Sequence, residues 1–293
     1  MSSIIGLEQA LPYLRLYKQQ IFVIKLGGGI LSDEDGLDQV VTQVALLHQL
    51  NIRIVLVHGG GPQATSMAER LGIPVKLIDG RRVTDLETLE VAKMVFNGKL
   101  NTEVLAKLNA LQVPGVGLSG IDSRSIRAVR RPVQKIKDEE SDTEKIVDFG
   151  YVGDIKEVEP SLLIHLLEGS YVPVISTLAD GGDSKVLNVN ADTVAAELAI
   201  ALGATKLLLL TPVAGVFENP EDTGTLISQM NLSRLEEIRN SSAQGGMRVK
   251  LDACRSALEG GVPRAHIING LEPDSLLAEI FTNEGSGTLI EES

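Results

Sequence analysis

The stretch "VLVHGGGPQ", residues 55–63, decides the fold: a β-branched and aliphatic run passes through three glycines into a proline that opens a helical pattern. β-Branched runs favour strands, and proline suits the first turn of a helix, where its missing N–H has no partner to lose. One glycine satisfies an ordinary strand-to-helix turn. Each glycine gives up roughly 0.5–1 kcal/mol relative to alanine in regular structure, so three in succession point to a backbone that something must approach closely. A strand end feeding a helix N-terminus is also where backbone N–H groups face an anion.

Working outward, "IFVIKL" (21–26) is a buried strand that runs into Gly27, Gly28 and Gly29. Residues 35–49 are helical, "IRIVLV" (52–57) is the next strand and 62–71 the next helix. This alternation predicts an α/β fold: an open, mostly parallel central sheet with helices on both faces, a three-layer αβα sandwich. A helical stretch runs from Asp85 to about 111, with Gly98 a candidate break, before strand "GVGLSG" (115–120). The texture then changes: "SIRAVRRPVQKI" (125–136) and "KIVDFGYVGDIKEV" (145–158) are strand-like, and "KDEESDTEK" (137–145) between them reads as a solvated hairpin loop. Helix 159–168, strand 171–177, helix 191–202 and strand 206–211 restore the α/β rhythm. Helices 231–239 and 247–259, strand 265–269, helix 273–282 and a short strand at 287–290 follow. "LEQALPYLRLY" (7–17) is an amphipathic helix that Pro12 is expected to kink or interrupt. The chain reads as one domain over 1–293, with lobes 1–180 and 181–293 meeting near "ADGGDSK" (179–185), although a single continuous sheet fits equally well.

Composition limits the functions open to such a chain. Of 293 residues 43% are hydrophobic, enough for a real core. With 27 Lys+Arg against 39 Asp+Glu, a formal charge of −12, non-specific nucleic-acid binding is not expected. An anionic ligand must therefore be held by a few local cations. The single cysteine, Cys254, excludes an intrachain disulfide, reads as a buried helix residue and fits a reducing compartment. Charged residues at helical spacing (Glu8, Arg15, Lys18) interrupt the N-terminal apolar residues, unlike a signal peptide, and no apolar run approaches the ~18–20 residues of a membrane span. A cytoplasmic protein with neither membrane nor nucleic-acid partner is the expectation.

Lys25 in "VIKLGGG" (23–29) stands at a strand's C-terminal end beside flexible backbone, where open α/β sheets bind ligands. No GxxxxGK[ST] loop occurs, and neither "GGGPQA" nor "GGGILS" has GxGxxG spacing, so P-loop and nicotinamide enzymes lose their support. The constellation says more than its members. Lys25 with Gly27 to Gly29, "HGGGP" (58–62), "GRRVTD" (80–85), "LNVNAD" (187–192) and "QGGMRVK" (244–250) occur in this order at the ends of successive predicted elements.

That order and wording resemble the amino acid kinase family, and within it the acetylglutamate kinases, over residues 21–290. The resemblance implies ATP-dependent phosphorylation of the γ-carboxylate of N-acetyl-L-glutamate in arginine biosynthesis. By it, Lys25 and Lys250 take the roles of transition-state lysines and Asp192 anchors both. Asp192 also suits a helix N-terminus, and the two readings are compatible. Charge in phosphoryl transfer gathers on the equatorial oxygens, so cations and amides must already stand there. The acceptor carboxylate, with a pKa near ~4.3, is already ionised, so no base is required and His58 reads as a structural strand-end residue.

The same resemblance assigns the remaining groups. Gly60 and Gly61 would offer N–H groups to the acceptor and the migrating phosphoryl, and Gly28 and Gly29 to the nucleotide's phosphates. Arg82 would grip the α-carboxylate and Asn188 the acetyl or carboxylate groups. Thr211, Pro212, Gly215 and Phe217 in "LLLLTPVAGVF" (207–217) would lie beside adenine and ribose. Mg²⁺ would travel with ATP, and no metal-ligand set is assigned. The hairpin of 124–157 would serve as a lid, or alternatively as a surface or interface hairpin. Pro212, where many relatives carry Asp, and Ile121 in "GLSGID" (117–122), where many carry Lys, depart from the pattern. "LEQALPYLRLY" and "HIINGLEPDSLLAEIFTNEGSGT" (266–288), with His266, Glu284 and Gly285, resemble the ring-forming helix and arginine site of arginine-inhibited members. Arginine is therefore an expected feedback inhibitor, and a homo-oligomer, dimer or hexamer, the expected assembly. Two alternatives remain: a sister kinase acting on a carrier-bound aminoadipate or glutamate or another N-acylglutamate, and a non-catalytic amino-acid-sensing module. The basic residues Arg124, Arg127, Arg130 and Arg131 favour the first, whereas retention of both lysines and Asp192 disfavours the second.

Overall fold

The computed structural model describes residues 7–78, 81–137 and 144–292. Its centre is an eleven-stranded sheet. In chain order the strands are β1 (Ile21–Leu26), β2 (Arg53–His58), β3 (Gly115–Gly120), β4 (Ile126–Arg130), β5 (Gly153–Val158), β6 (Val172–Asp180), β7 (Val186–Asn188), β8 (Lys206–Thr211), β9 (Gln229–Asn231), β10 (Arg264–Asn269) and β11 (Thr288–Glu291). They lie in the order β9-β11-β10-β8-β1-β2-β6-β4-β5, with β3 and β7 also paired to β6. The middle of the sheet is parallel: β1 pairs with β8 and β2, β2 with β6, and β8 with β10. Antiparallel pairs confine themselves to β4/β5, β6/β7 and β10/β11. Buried on both faces, the central strands read as unbroken apolar runs; "KLLLLT" is buried throughout.

Helices cover both faces, and two large apolar clusters lie between them and the sheet. One gathers Phe22, Ile24, Leu56 and Val104; the other gathers Val23, Val57, Leu198 and Leu251. Successive residues of a strand point to opposite faces, so Phe22 and Val23 separate into the two clusters. The sheet does not break at 180, because β7 folds back on β6 through Leu178–Asn188 pairing.

Two expectations needed revision. The helix Leu7–Tyr17 runs through Pro12 without interruption. Proline there removes one early backbone bond, and Tyr17 anchors the helix by meeting the Phe22 ring edge-on at 5.2 Å. The stretch after Asp85 is three segments: α-helix Leu86–Lys93, π-helix Met94–Leu100 containing Gly98, and α-helix Asn101–Ala110. The charged loop read between the hairpin strands lies largely at 138–143, outside the described residues; the flanking strands Gln134–Lys137 and Glu144–Val147 do pair. No helix among the described residues is long and apolar enough to cross a membrane.

Candidate active site

The C-terminal ends of β1, β2 and β6 lie side by side in register: Lys25 beside Val57, Leu26 beside His58, Ser176 beside His58. Above them opens a cleft of about 460 Å³ whose lining includes Lys25, Gly28, Gly60, Gly61, Arg82, Asn188 and Asp192. Sequence-distant motifs thus share one wall.

Asp192 organises the floor. Asn190 caps the helix Ala191–Ala201 by accepting the N–H groups of Asp192 and Thr193 at 2.9 and 3.1 Å, which fixes Asp192 in the first turn. Its Oδ1 stands 2.9 Å from Lys25 Nζ and its Oδ2 3.2 Å from Lys250 Nζ. Lys250 comes from the helix Gly245–Glu259, which packs on Ala191–Ala201. Lys25 and Asp192 are 6% and 5% exposed, so water hardly screens the contact. Burial depresses the Lys25 ammonium, a shift that Asp192 opposes and Lys250 reinforces. Burial alone would raise the Asp192 carboxyl, yet the two lysines hold it below the ordinary range. Two cations against one carboxylate leave a net positive charge around Asp192, suited to phosphoryl oxygens; Lys25 and Asp192 line the cleft, whereas Lys250 reaches Asp192 without lining it.

Gly60 and Gly61 enter the helix Gly61–Arg70 with Pro62 in the first turn. Gly60 adopts φ +154°, and a side chain there would meet Leu100 Cδ1 at 2.3 Å and Phe96 at 2.8 Å. Among the described residues nothing lies within 4 Å of the corresponding position at Gly61. Gly28 and Gly29 begin a short helix, Gly28–Ser32, whose first internal bond is Leu31 N–H to Gly27 O, so their amides precede it. Pro62 fills the space beside Gly28 at 2.7 Å, and Pro212 the space beside Gly29 at 2.6 Å. Gln63 ties the two glycine segments together by donating to Gly28 O at 3.1 Å.

Arg82 donates through Nη2 to Gly61 O at 2.7 Å and to Thr65 Oγ1 at 2.5 Å. Its Nη1 is buried with no hydrogen-bond partner among the described residues. A buried charged donor left unpaired is costly and marks where an anion is to be received. Asn188 donates to Thr84 Oγ1 at 3.4 Å, a long bond that leaves most of its amide capacity for a ligand. Arg131 also lines this cleft, pinned by two bonds to Asp154 Oδ1 at 2.9 and 2.6 Å. The sequence names it among the basic residues that would suit a carrier-bound acceptor; the partner that pins it lies 23 residues away, beyond any local pattern.

A second cavity, about 500 Å³, is lined by Gly215, Phe217, Ile238 and Met247 among others. Thr211, buried at the end of β8, and Pro212 line neither cavity. Gly29, expected at the nucleotide's phosphates, also lines neither cavity and packs against Pro212 instead. Among the described residues no group of three His, Cys, Asp or Glu side chains could hold a metal ion.

His266, Glu284 and Gly285 lie apart from the cleft, in a third cavity of about 250 Å³ bordered by Tyr13 and Tyr17 of the first helix. Lys206 and Glu279, which the sequence reading missed, complete it. Lys206 Nζ donates to His266 Nε2 at 2.9 Å, and His266 Nδ1 donates to Glu279 Oε1 at 2.7 Å. Burial first, with the Lys206 charge, pushes the His266 imidazole down to about 4, so the ring is neutral and its proton sits on Nδ1. Burial and Arg264 lower Lys206 to about 8, against the pull of Glu279. Burial opposes ionisation of Glu279, but its bonds to His266, Ser286 and Gly287 bring it to about 2.

A sequence profile of the amino acid kinase family matches residues 20–269. The acetylglutamate kinase of Myxococcus xanthus is 45% identical over 97% of this chain and 93% of its own length. That of Archaeoglobus fulgidus is 41% identical over 99% of this chain and all of its own. Among solved structures, N-acetylglutamate synthase from Neisseria gonorrhoeae with coenzyme A and N-acetyl-glutamate superposes with a TM-score of 0.83 at 28% identity, covering all of this chain and 64% of the synthase. The synthase with coenzyme A and L-arginine gives 0.81 at 26% identity, covering all of this chain and 66% of the synthase. The chain belongs to the amino acid kinase family and, within it, groups with the acetylglutamate kinases.

Proposed function

We propose that the chain transfers the γ-phosphoryl group of ATP to the γ-carboxylate of N-acetyl-L-glutamate, a step of arginine biosynthesis. The single observation carrying this reading is the convergence of Lys25 and Lys250 on Asp192 at the floor of the cleft that also holds Gly60, Gly61 and Arg82. A carboxylate oxygen attacks the γ-phosphorus, a new O–P bond forms, the bond to the bridging oxygen breaks and ADP leaves. No proton moves at the nucleophile. Lys25 and Lys250 neutralise the charge gathering on the transferred group, and Asp192 keeps both ammonium groups from turning away. The amides of Gly60 and Gly61 add oriented donors at the positive end of their helix. Arg82 Nη1 receives the α-carboxylate, and Asn188 orients the acetyl end. The apolar second cavity takes the base, putting Gly215 and Phe217 beside it. Mg²⁺ arrives on the ATP phosphates and draws charge from them; the scarcity of carboxylates in the cleft suits a carried ion. The acceptor part belongs to 1–180 apart from Asn188, and the base-binding part to 181–293, with the continuous sheet as their common base.

Arginine is the proposed inhibitor, received in the third cavity, where Glu279 offers a carboxylate and Glu284 a second. The relative with bound L-arginine supports this reading. Exposed Leu11 and Leu16 on the first helix, 45% and 59% accessible, suit contact with another copy in a dimer or hexamer. A reducing, cytoplasmic setting suits the buried thiol of Cys254.

The test is trapping of acyl phosphate with hydroxylamine, using ATP and N-acetyl-L-glutamate, free glutamate or a carrier-bound acceptor. Turnover of N-acetyl-L-glutamate is expected; turnover of the carrier-bound acceptor alone would transfer the reading to the sister kinases. Arginine titrated to millimolar levels should depress the rate, and a flat response would remove the inhibitor.

A further inference from the structure

His58 is fully buried and makes no contact that the phosphoryl-transfer account uses. Its hydrogen bonds nevertheless have only one consistent direction. Asn101 Nδ2 stands 2.9 Å from the carbonyl of Val174, which can only accept, so the amide nitrogen is fixed in place. The same Nδ2 lies 3.2 Å from His58 Nε2, which must therefore accept. The proton then sits on Nδ1, 2.9 Å from the carbonyl of Gly59, the first glycine of the loop. Asn101 thus donates both to the backbone of β6 and to His58, and His58 donates onward to the loop.

The segment behind these bonds is the π-helix Met94–Leu100, leading directly into Asn101. π-Helical turns are rare, cost hydrogen-bond geometry and recur at functional sites. Here the wide turn brings two further contacts to the same loop and one to the neighbouring strand β6. Phe96 and Leu100 occupy the space beside Gly60 and hold its φ of +154°. Asn97 accepts a hydrogen bond from Ser176 Oγ, whose residue is in register with His58. Burial keeps the ring from taking a second proton, consistent with the tautomer that the hydrogen bonds require.

We propose that His58, held as the Nδ1-protonated neutral tautomer by Asn101, is a positioning residue that sets the Gly59 carbonyl and so aims the amides of Gly60 and Gly61 into the cleft. The inference rests on the kinase reading, yet its spectroscopic arm is independent of it. Asn101→Asp replaces the fixed donor by an acceptor, so the proton moves to Nε2 and Nδ1 loses its bond to Gly59 or the ring becomes cationic. His58→Asn retains a donor near the Nδ1 position, and His58→Phe keeps the ring without it.

The experiment records the histidine ¹⁵N spectrum of the full chain at neutral pH, with kcat, KM and ATP affinity of the variants. A buried histidine with Nδ1 protonated and Nε2 bare is expected, changing state in Asn101→Asp. In His58→Phe, kcat should fall about 10²-fold, the scale of a slight misplacement of reacting groups, with ATP affinity little changed. His58→Asn should recover part of that loss. An Nε2-protonated or cationic ring in the wild type overturns the proposal even if a variant fails to fold. Equal kcat in wild type and folded His58→Phe overturns it as well. Absence of turnover in the wild type would instead sink the kinase reading and leave the tautomer result standing.

Discussion

Replacing Asp192 by asparagine keeps the shape of the side chain and removes one charge from between two ammonium groups. The Oδ1–Lys25 distance of 2.9 Å and the Oδ2–Lys250 distance of 3.2 Å set the scale. At an effective dielectric of ~20 each contact is about 5–6 kcal/mol of attraction before desolvation is subtracted. Breaking a buried pair by removing one partner leaves about 3–5 kcal/mol of net destabilisation. Loss of a carboxylate from the first helical turn adds about 0.3–1 kcal/mol at most, so the ion pair dominates. Lys25 partly escapes by giving up its proton, because burial then acts on it without Asp192 in opposition. The variant should therefore unfold roughly 10 °C lower, and its kcat should fall about 10²–10³-fold. Adding Lys25→Met should restore part of the stability, since one of the two uncompensated charges disappears while Lys250 remains; a coupling of about 1–3 kcal/mol in the double-mutant cycle is expected. Calorimetry of the four proteins measures it. Strict additivity, or an Asp192→Asn protein as stable as wild type, would refute the reasoning.

Three further outcomes follow from named contacts. Gly60→Ala must push against Leu100 and Phe96 at a left-handed φ, costing about 2–6 kcal/mol in denaturant unfolding, while Gly61→Ala, with open space, should fold normally yet lose turnover. Arg82→Lys should raise KM for N-acetyl-L-glutamate by roughly 10–100-fold with kcat within a few-fold, because the unpaired Nη1 is lost. Glu279 is held at about 2, below its ordinary 4.5, so the stability it adds is complete above pH 4.5 and is lost as pH falls toward 2. Thermal unfolding between pH 7 and 3 should show that loss, and Glu279→Gln should flatten it.

Legibility in the sequence followed the range of the interactions. Strands such as Ile21–Leu26 and Lys206–Thr211 were readable because burial on both faces imposes a continuous apolar run. The glycine runs were readable too, although Gly28 and Gly29 turn out to be small also because Pro62 and Pro212 occupy the adjacent space. Pro212 is accordingly a packing partner of Gly29 as well as a departure from the pattern. Gly98 hinted at an irregularity, but one glycine in a helical stretch does not tell a break from the π-helical turn that forms there. Lys206 and Glu279 looked like ordinary members of a strand and a helix, since nothing local announces a partner 60 or 13 residues from His266. Asn101 was hidden for the same reason, as was the pairing of Arg131 with Asp154.

The most direct test is the structure of the chain bound to ADP, N-acetyl-L-glutamate and aluminium fluoride, a mimic of the phosphoryl group in flight. The account predicts Lys25 Nζ and Lys250 Nζ both within hydrogen-bonding distance of the fluoride ligands while still bonded to Asp192. Either ammonium turned away from the fluoride, or Asp192 contacting only one lysine, would contradict it.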